Sequence, residues 1–148
     1  MKALRLPPAN FRVKSTEKGR FIFDPIRKKF VSLQPEEWVR QHIIHWLVDF
    51  KSVPINLINV EKKLVIAGTS KRYDIVIFKP DGSIHTIIEC KAPKIKIDQT
   101  VFDQIARYNL IAKASFLMVS NGMEHYFCTM DYENQRYNFI ADLPKYAL

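Results

Sequence analysis

The stretch YDIVIFKPDGSIHTIIECK, residues 73–91, constrains the fold more than any other part of the chain. Ile75-Val76-Ile77-Phe78 and the run from Ile84 to Ile88 flank Pro80-Asp81-Gly82, so the segment reads as two strands joined by a tight turn. Side chains alternate along a strand. Ile84, Thr86, Ile88 and Cys90 therefore share one face, and His85, Ile87, Glu89 and Lys91 share the other. Pairing through the turn lays the start of the first strand beside the end of the second. Asp74 then falls near Glu89 and Lys91, although fifteen positions separate the two acids. Two carboxylates and an ammonium meet at one edge of a sheet.

Around this hairpin the chain divides into short elements. Residues 1–20 are basic, contain Pro7-Pro8 and read as an arm. Phe21-Ile22-Phe23 and Lys29-Phe30-Val31 flank Asp24-Pro25 as a small hairpin. A helix is expected to open at Ser32 or Gln34 with Pro35, carrying Glu36 and Glu37 where the helix dipole favours acids. Its buried stripe is Val39, Ile43, Trp46 and Leu47, and it closes near Phe50, before Pro54. The run from Ile55 to Ile66 reads as strand, with Val60, Leu64 and Ile66 apolar, and Gly68-Thr69-Ser70-Lys71 reads as a turn. After Pro93 the spacing of Ile97, Val101, Ile105 and Tyr108 predicts a second helix. ASFLMVS, residues 114–120, is a short buried strand closed by Asn121-Gly122, with strand-like pieces around Tyr126 to Thr129 and Tyr137 to Ile140. This order predicts an α/β fold with a mixed β-sheet, a three-strand meander plus a further strand that returns parallel, flanked by helices. One domain of 148 residues is expected: an arm and hairpin over 1–34, an α-βββ-α-β core over 35–122 and C-terminal strands over 123–148.

A hydrophobic content of 47% supports a packed core, and no apolar run approaches the ~18–20 residues a membrane helix needs. MKALRLPPANFRVK carries no secretion signal, so a cytoplasmic protein without membrane partners is expected. Cys90 and Cys128 then read as reduced thiols, Cys90 a core thiol rather than a nucleophile. A net charge of +8 favours a polyanionic partner, DNA or RNA. His42, His45, His85 and His125 show no zinc spacing, and no P-loop sequence is present. Glu61 reads as a surface strand residue or an outer contact to the site.

The charged strand tips have a chemical use. Asp74, Glu89 and the backbone carbonyl of Cys90 could hold Mg²⁺, with water completing the shell. Such an ion activates water and neutralises phosphodiester charge, while Lys91 positions the water or stabilises the transition state. The bland alternative is a solvated strand end in which Glu89 pairs with Lys91 and Asp74 caps a turn. Apolar strands directly before the charges, the meander order and the flanking helices favour a site.

With these elements in view, PEEWVRQHII (35–44), KRYDIVIF (71–78), IIECKAP (87–93), FDQIARYN (102–109) and SNG (120–122) resemble the PD-(D/E)XK nucleases. More narrowly, they resemble the N-terminal nuclease domain of type I restriction enzyme R subunits. Tyr73 stands where the family usually has a proline before the aspartate. The resemblance implies a restriction-endonuclease-like core and a Mg²⁺-dependent endodeoxyribonuclease, with Mn²⁺ an alternative ion. It implies Asp74 and Glu89 as metal ligands, Lys91 as the catalytic lysine, and Gln104 and Tyr108 as a Q-x-x-x-Y pair lining the cleft. It also asks for an acid on the first helix, and Glu36 and Glu37 both qualify. Lys71, Arg72, Lys94, Lys96 and Arg107 are candidates for a phosphate-contacting rim. The expected partners are DNA and subunits of a translocase or methylation complex. Because full R subunits carry a translocase after this domain, the chain is expected to be a stand-alone relative, an isolated domain or a piece of a larger assembly. A non-cleaving nucleic-acid-binding module and an assembly subunit on the same fold are the alternatives.

Overall fold

Helix α1 spans Pro35–Phe50, with Gln34 at its N-cap and Pro in its first turn. Proline fits there because the first-turn N–H groups have no intrahelical partner. Val39, Ile43, Ile44 and Leu47 are buried along it, and Trp46 is half-buried at the margin. Helix α2 spans Gln99–Ala112 and starts at Asp98, whose side chain accepts from the Val101 N–H at 2.9 Å. Its buried stripe is Phe102, Ile105, Ala106, Asn109 and Ala112. That stripe differs from the one expected around Val101 and Tyr108, and Tyr108 is 38% exposed. This computed structural model describes residues 1–66 and 68–147, the side chain of Ile66 excepted.

The strands are β1 (Val13–Thr16), β2 (Gly19–Asp24), β3 (Lys29–Ser32), β4 (Ile58–Ile66), β5 (Thr69–Phe78), β6 (Ile84–Cys90), β7 (Phe116–Ser120), β8 (His125–Asp131) and β9 (Arg136–Ile140). They form a three-stranded antiparallel sheet, β1-β2-β3, and a six-stranded sheet ordered β4-β5-β6-β7-β8-β9. In the larger sheet only β6 and β7 run parallel. A parallel neighbour needs a long crossover, and α2 supplies it. The mixed α/β sheet with flanking helices is the expected architecture.

Two apolar layers sandwich this sheet. On the α1 side Val39, Ile43 and Leu47 pack with Ile75, Ile77, Ile88 and Met118. On the α2 side Phe102, Ile105 and Ala106 pack with Tyr73, Val76, Ile87, Leu117 and Val119. Strand alternation sends Ile88 and Cys90 to one layer and Ile87 to the other.

Three local expectations are corrected. Residues 13–16, read as arm, form a third strand on the hairpin. The rest of the arm is docked: the Arg5 N–H donates to the Gly122 carbonyl at 2.8 Å, and the Trp38 indole donates to the Lys2 carbonyl at 2.8 Å. Thr69, Ser70 and Lys71, read as turn, open β5, because backbone pairing with Ile66, Val65 and Leu64 continues the ladder without an apolar signal.

Candidate active site

Strands β5 and β6 pair from Phe78↔Ile84, shift register between Phe78 and Ile77, and then hold it from Ile77↔Thr86 to Ile75↔Ile88, where the recorded ladder ends. One step further the side chain of Asp74 takes over, its Oδ2 accepting from the Cys90 N–H at 2.7 Å. Glu89 lies between these positions and is 8% exposed. Burial, and after it the charge on Asp74, push the Glu89 carboxyl up to about 7; the Lys71 ammonium opposes both. The Cys90 contact places Asp74 at the strand end that carries Glu89.

The cation in contact with Glu89 is Lys71, not Lys91. Lys71 Nζ lies 3.2 Å from Glu89 Oε1 and 4.5 and 4.8 Å from the ring centres of Tyr73 and Tyr108. An ammonium on aromatic faces with a carboxylate as counter-ion is held firmly. Lys71 is thus engaged within the cleft rather than standing free at its rim. Tyr108 touches the site through that lysine. Gln104, one turn earlier on α2, is exposed. Lys91 lies just past the end of β6, where its N–H donates to the Ser120 carbonyl at 2.8 Å. Its charge is felt by Glu36.

The two acids of α1 separate cleanly. Partial burial, then the charge on Asp74, raise the Glu36 carboxyl, and Arg40 and Lys91 pull it back. Glu36 is exposed, and its carboxyl feels the charges of Asp74 and Lys91. Glu37 is buried in a polar network instead: Arg27 donates to its Oε1 at 2.7 Å, Gln41 donates to its Oε2 at 3.1 Å, and Arg40 Nε approaches the same oxygen at 3.2 Å. Arg27 is in turn fixed by Asp24, a fully buried acid at the end of β2. Arg40 Nη1 lies 4.0 Å from Asp74 Oδ1, so the network reaches the site.

Glu61 belongs to the same network, 3.6 Å from both Arg27 and Arg40. Its φ of 54° is left-handed in mid-strand, and the β4–β5 register passes from Val60↔Ile75 to Lys62↔Tyr73 around it. A non-glycine residue in that region is uncommon, and such strain gathers at functional sites. Asp24, Arg27 and Arg40 were missed in the sequence, which shows no pairing between positions so far apart.

The remaining basic candidates, Arg72, Lys94, Lys96 and Arg107, are exposed. Cys90 and Cys128 are free and buried, and burial pushes the Cys90 thiol well up, which suits core thiols rather than nucleophiles. His42 Nδ1 is 2.8 Å from the Trp38 carbonyl, and His45 Nδ1 is 2.8 Å from the Gln41 carbonyl. Among the described residues no group of three or more His, Cys, Asp and Glu gathers as a metal cluster.

Against this geometry, residues 35–144 match the family described as the type I restriction enzyme R protein N terminus. The chain belongs to that family. No curated protein matches it with significance. The matched span of this R-protein N-terminal domain begins at Pro35, the first residue of α1, and includes Asp74, Glu89 and Lys91. Among the described residues no helix is long and apolar enough to cross a membrane.

The raised Glu89 carboxyl carries a stability prediction. An ordinary glutamate ionises near 4.5, whereas this one holds its proton to about 7. The fold thus binds a proton that the unfolded chain releases, which stabilises it fully below about 4.5. That contribution, on the order of a few kcal/mol, drains away as pH rises towards 7 and is gone above it. In metal-free buffer the Tm is expected to fall between pH 5 and pH 8. Glu89→Gln, which cannot ionise, is expected to flatten the profile and to be more stable than the parent at pH 8. An unchanged slope would show that Glu89 is not the group responsible.

Proposed function

We propose that this domain is a divalent-metal-dependent endodeoxyribonuclease of the PD-(D/E)XK type, the cutting module of a type I restriction system. One observation carries the reading. Asp74 Oδ2 is bonded to the Cys90 N–H at 2.7 Å at the strand end that carries Glu89, and burial with the charge of Asp74 raises Glu89 to about 7. Folding brings two acids together at this expense where a cation is to be bound between them.

The donor set fits a hard ion such as Mg²⁺ or Mn²⁺. Asp74 and Glu89 would supply carboxylate oxygens and Cys90 its backbone carbonyl. Mg²⁺ sites use one or two protein carboxylates and leave other positions to water and substrate phosphate. An ion held there lowers the pKa of a bound water and offsets the charge on a phosphodiester.

The chain's own residues do the rest. The Cys90 N–H orients Asp74 through Oδ2, while Oδ1 lies 4.0 Å from Arg40 Nη1. Lys91 would hold the attacking water in line and stabilise charge on the phosphoryl oxygens. Glu36, which feels the charge of Lys91, would orient that ammonium. Tyr108 would act through Lys71, steadying Glu89. Gln104, Arg72, Lys94, Lys96 and Arg107 would border the DNA backbone. DNA is the substrate in this reading, and translocase and methylation subunits are the expected companions.

The position of Lys71 favours a second reading, a nucleic-acid-binding domain that does not cut. Its ammonium on Glu89 supplies a cation from the protein itself. One experiment separates the two. Supercoiled plasmid with Mg²⁺ or Mn²⁺ is expected to be nicked by the parent chain, and not by Asp74→Asn or after EDTA. Mn²⁺ is also expected to raise the Tm of the parent by several degrees and to leave Asp74→Asn unmoved. Salt-sensitive DNA binding with neither nicking nor a metal-dependent Tm would establish the non-cleaving domain instead.

A further inference from the structure

We propose that the outer face of the β1-β2-β3 sheet is a platform for single-stranded DNA, formed by Arg12, Lys14, Phe21, Phe23 and Phe30. The register defines this face. Val13, Ile22 and Val31 are partners across the three strands, and Ile22 is fully buried, so their side is the inner one. The alternate positions face outward. Lys14 is registered with Phe21, and Phe23 with Phe30.

The three rings are half-exposed and join neither apolar layer of the main sheet. Phe23 and Phe30 lie beneath cations instead, and Phe21 is the cross-strand partner of Lys14. The Arg12 guanidinium carbon is 4.5 Å from the centre of Phe23 and 5.4 Å from that of Phe30, and Lys14 Nζ is 4.2 Å from Phe30. Charge points the same way. Residues 12–32 contain seven Lys and Arg against Glu17 and Asp24, so this fifth of the chain or less holds five of its eight net positive charges. Asp24 is buried, which leaves the outside more basic still.

Rings interleaved with cations on an open sheet are suited to bases and phosphates together. Bases stack on aromatic and guanidinium planes while the cations follow the backbone. A duplex hides the faces of its bases, so phenyl rings add nothing to duplex binding; a separated strand offers them. The platform is also tied to the candidate active site. Arg27, in the turn between β2 and β3, bonds both Asp24 and Glu37, and so fixes the sheet to the helix that carries Glu36. A strand held on the platform would enter the site at a set position. The proposal rests on the reading above only in taking DNA as the polymer, and binding without cutting satisfies it equally.

The test is binding in EDTA, where no cleavage can occur. The probe is a fluorescent oligothymidylate of about 20 nucleotides, longer than one such platform needs, with a duplex of equal length for comparison. Phe21→Leu and Phe30→Leu keep apolar bulk and lose the π-face. Each is expected to weaken single-strand binding roughly tenfold and to leave duplex binding unchanged. Arg12→Gln with Lys14→Gln is expected to weaken both and to lower the single-strand salt slope by about 1. Phe30→Tyr is expected to restore binding, which separates stacking from damage to the sheet. In the unaltered protein, 4-thiothymidine in the probe is expected to crosslink within residues 12–32. Parental affinity in the leucine variants, equal losses for single strand and duplex, or crosslinks confined to other segments would each overturn the proposal.

Discussion

Replacing Lys91 by alanine is expected to reduce plasmid nicking at least a thousandfold while leaving Mn²⁺ binding within a fewfold of the parent. The two effects part because the proposed metal contacts come from Asp74 and Glu89, the charge on one raising the carboxyl of the other, whereas the charge of Lys91 is felt by Glu36. A preorganised cation aimed at developing phosphoryl charge is worth about 3–4 kcal/mol in a water-poor site, two to three powers of ten in rate. Loss of the water's orientation adds to that. Lys91→Arg retains the charge but not the compact ammonium, and is expected to recover only part of the rate. Glu36→Gln is expected to fall between, because it loosens Lys91 without removing it. Asp74→Ala should show the opposite division, losing Mn²⁺ affinity by calorimetry together with all nicking. If Lys91→Ala nicks as fast as the parent while Lys71→Ala does not, the roles of the two lysines are exchanged, and the ammonium on Glu89 is the one that serves the chemistry.

That last outcome turns on what a sequence can carry. The placing of Asp74 beside the end of β6 was legible because the turn at Pro80-Asp81-Gly82 pairs the two strands; the register shift between Ile77 and Phe78 was not. The α1 boundaries were legible from Pro35 and the apolar spacing. Lys71 was not. Thr69 to Lys71 contain no apolar residue, so nothing marks them as strand, yet β5 begins at Thr69 and the lysine ammonium reaches Tyr73 and Tyr108. β1 escaped notice for a related reason: Val13 to Thr16 are all exposed, and the strand is held by its backbone pairing. The choice between Glu36 and Glu37 depends on how α1 is rotated against the sheet. Propensity does not encode that rotation; Arg27, arriving from the separate hairpin, claims Glu37 and leaves Glu36 to the site. Glu61 is the extreme case, a left-handed mid-strand residue with no glycine to announce it.

The network that makes this choice also carries the largest expected stability effect. Glu37→Ala is expected to lower unfolding free energy by about 3–5 kcal/mol, because it leaves buried arginine charge without its acid. Glu37 is the point where Arg27, Arg40 and Gln41 converge. Arg40 is 5% exposed, so water cannot replace the lost carboxylate. Its remaining acids are Glu61 at 3.6 Å and Asp74 at 4.0 Å. Drawn towards Asp74, Arg40 would compete there with a divalent ion, so the variant should also bind Mn²⁺ more weakly at temperatures where it is still folded. For a chain of this size a loss of that magnitude appears as a Tm lower by roughly 10 °C. Glu37→Gln, which still accepts hydrogen bonds, should lose less. In a double-mutant cycle Arg27→Gln should cost less in the Glu37→Ala background than in the parent, with a coupling of about 1–3 kcal/mol. A loss below about 1 kcal/mol for Glu37→Ala would show these ion pairs to be as weak as surface ones. Parental Mn²⁺ affinity in the same variant would cut the link from the N-terminal sheet to Asp74.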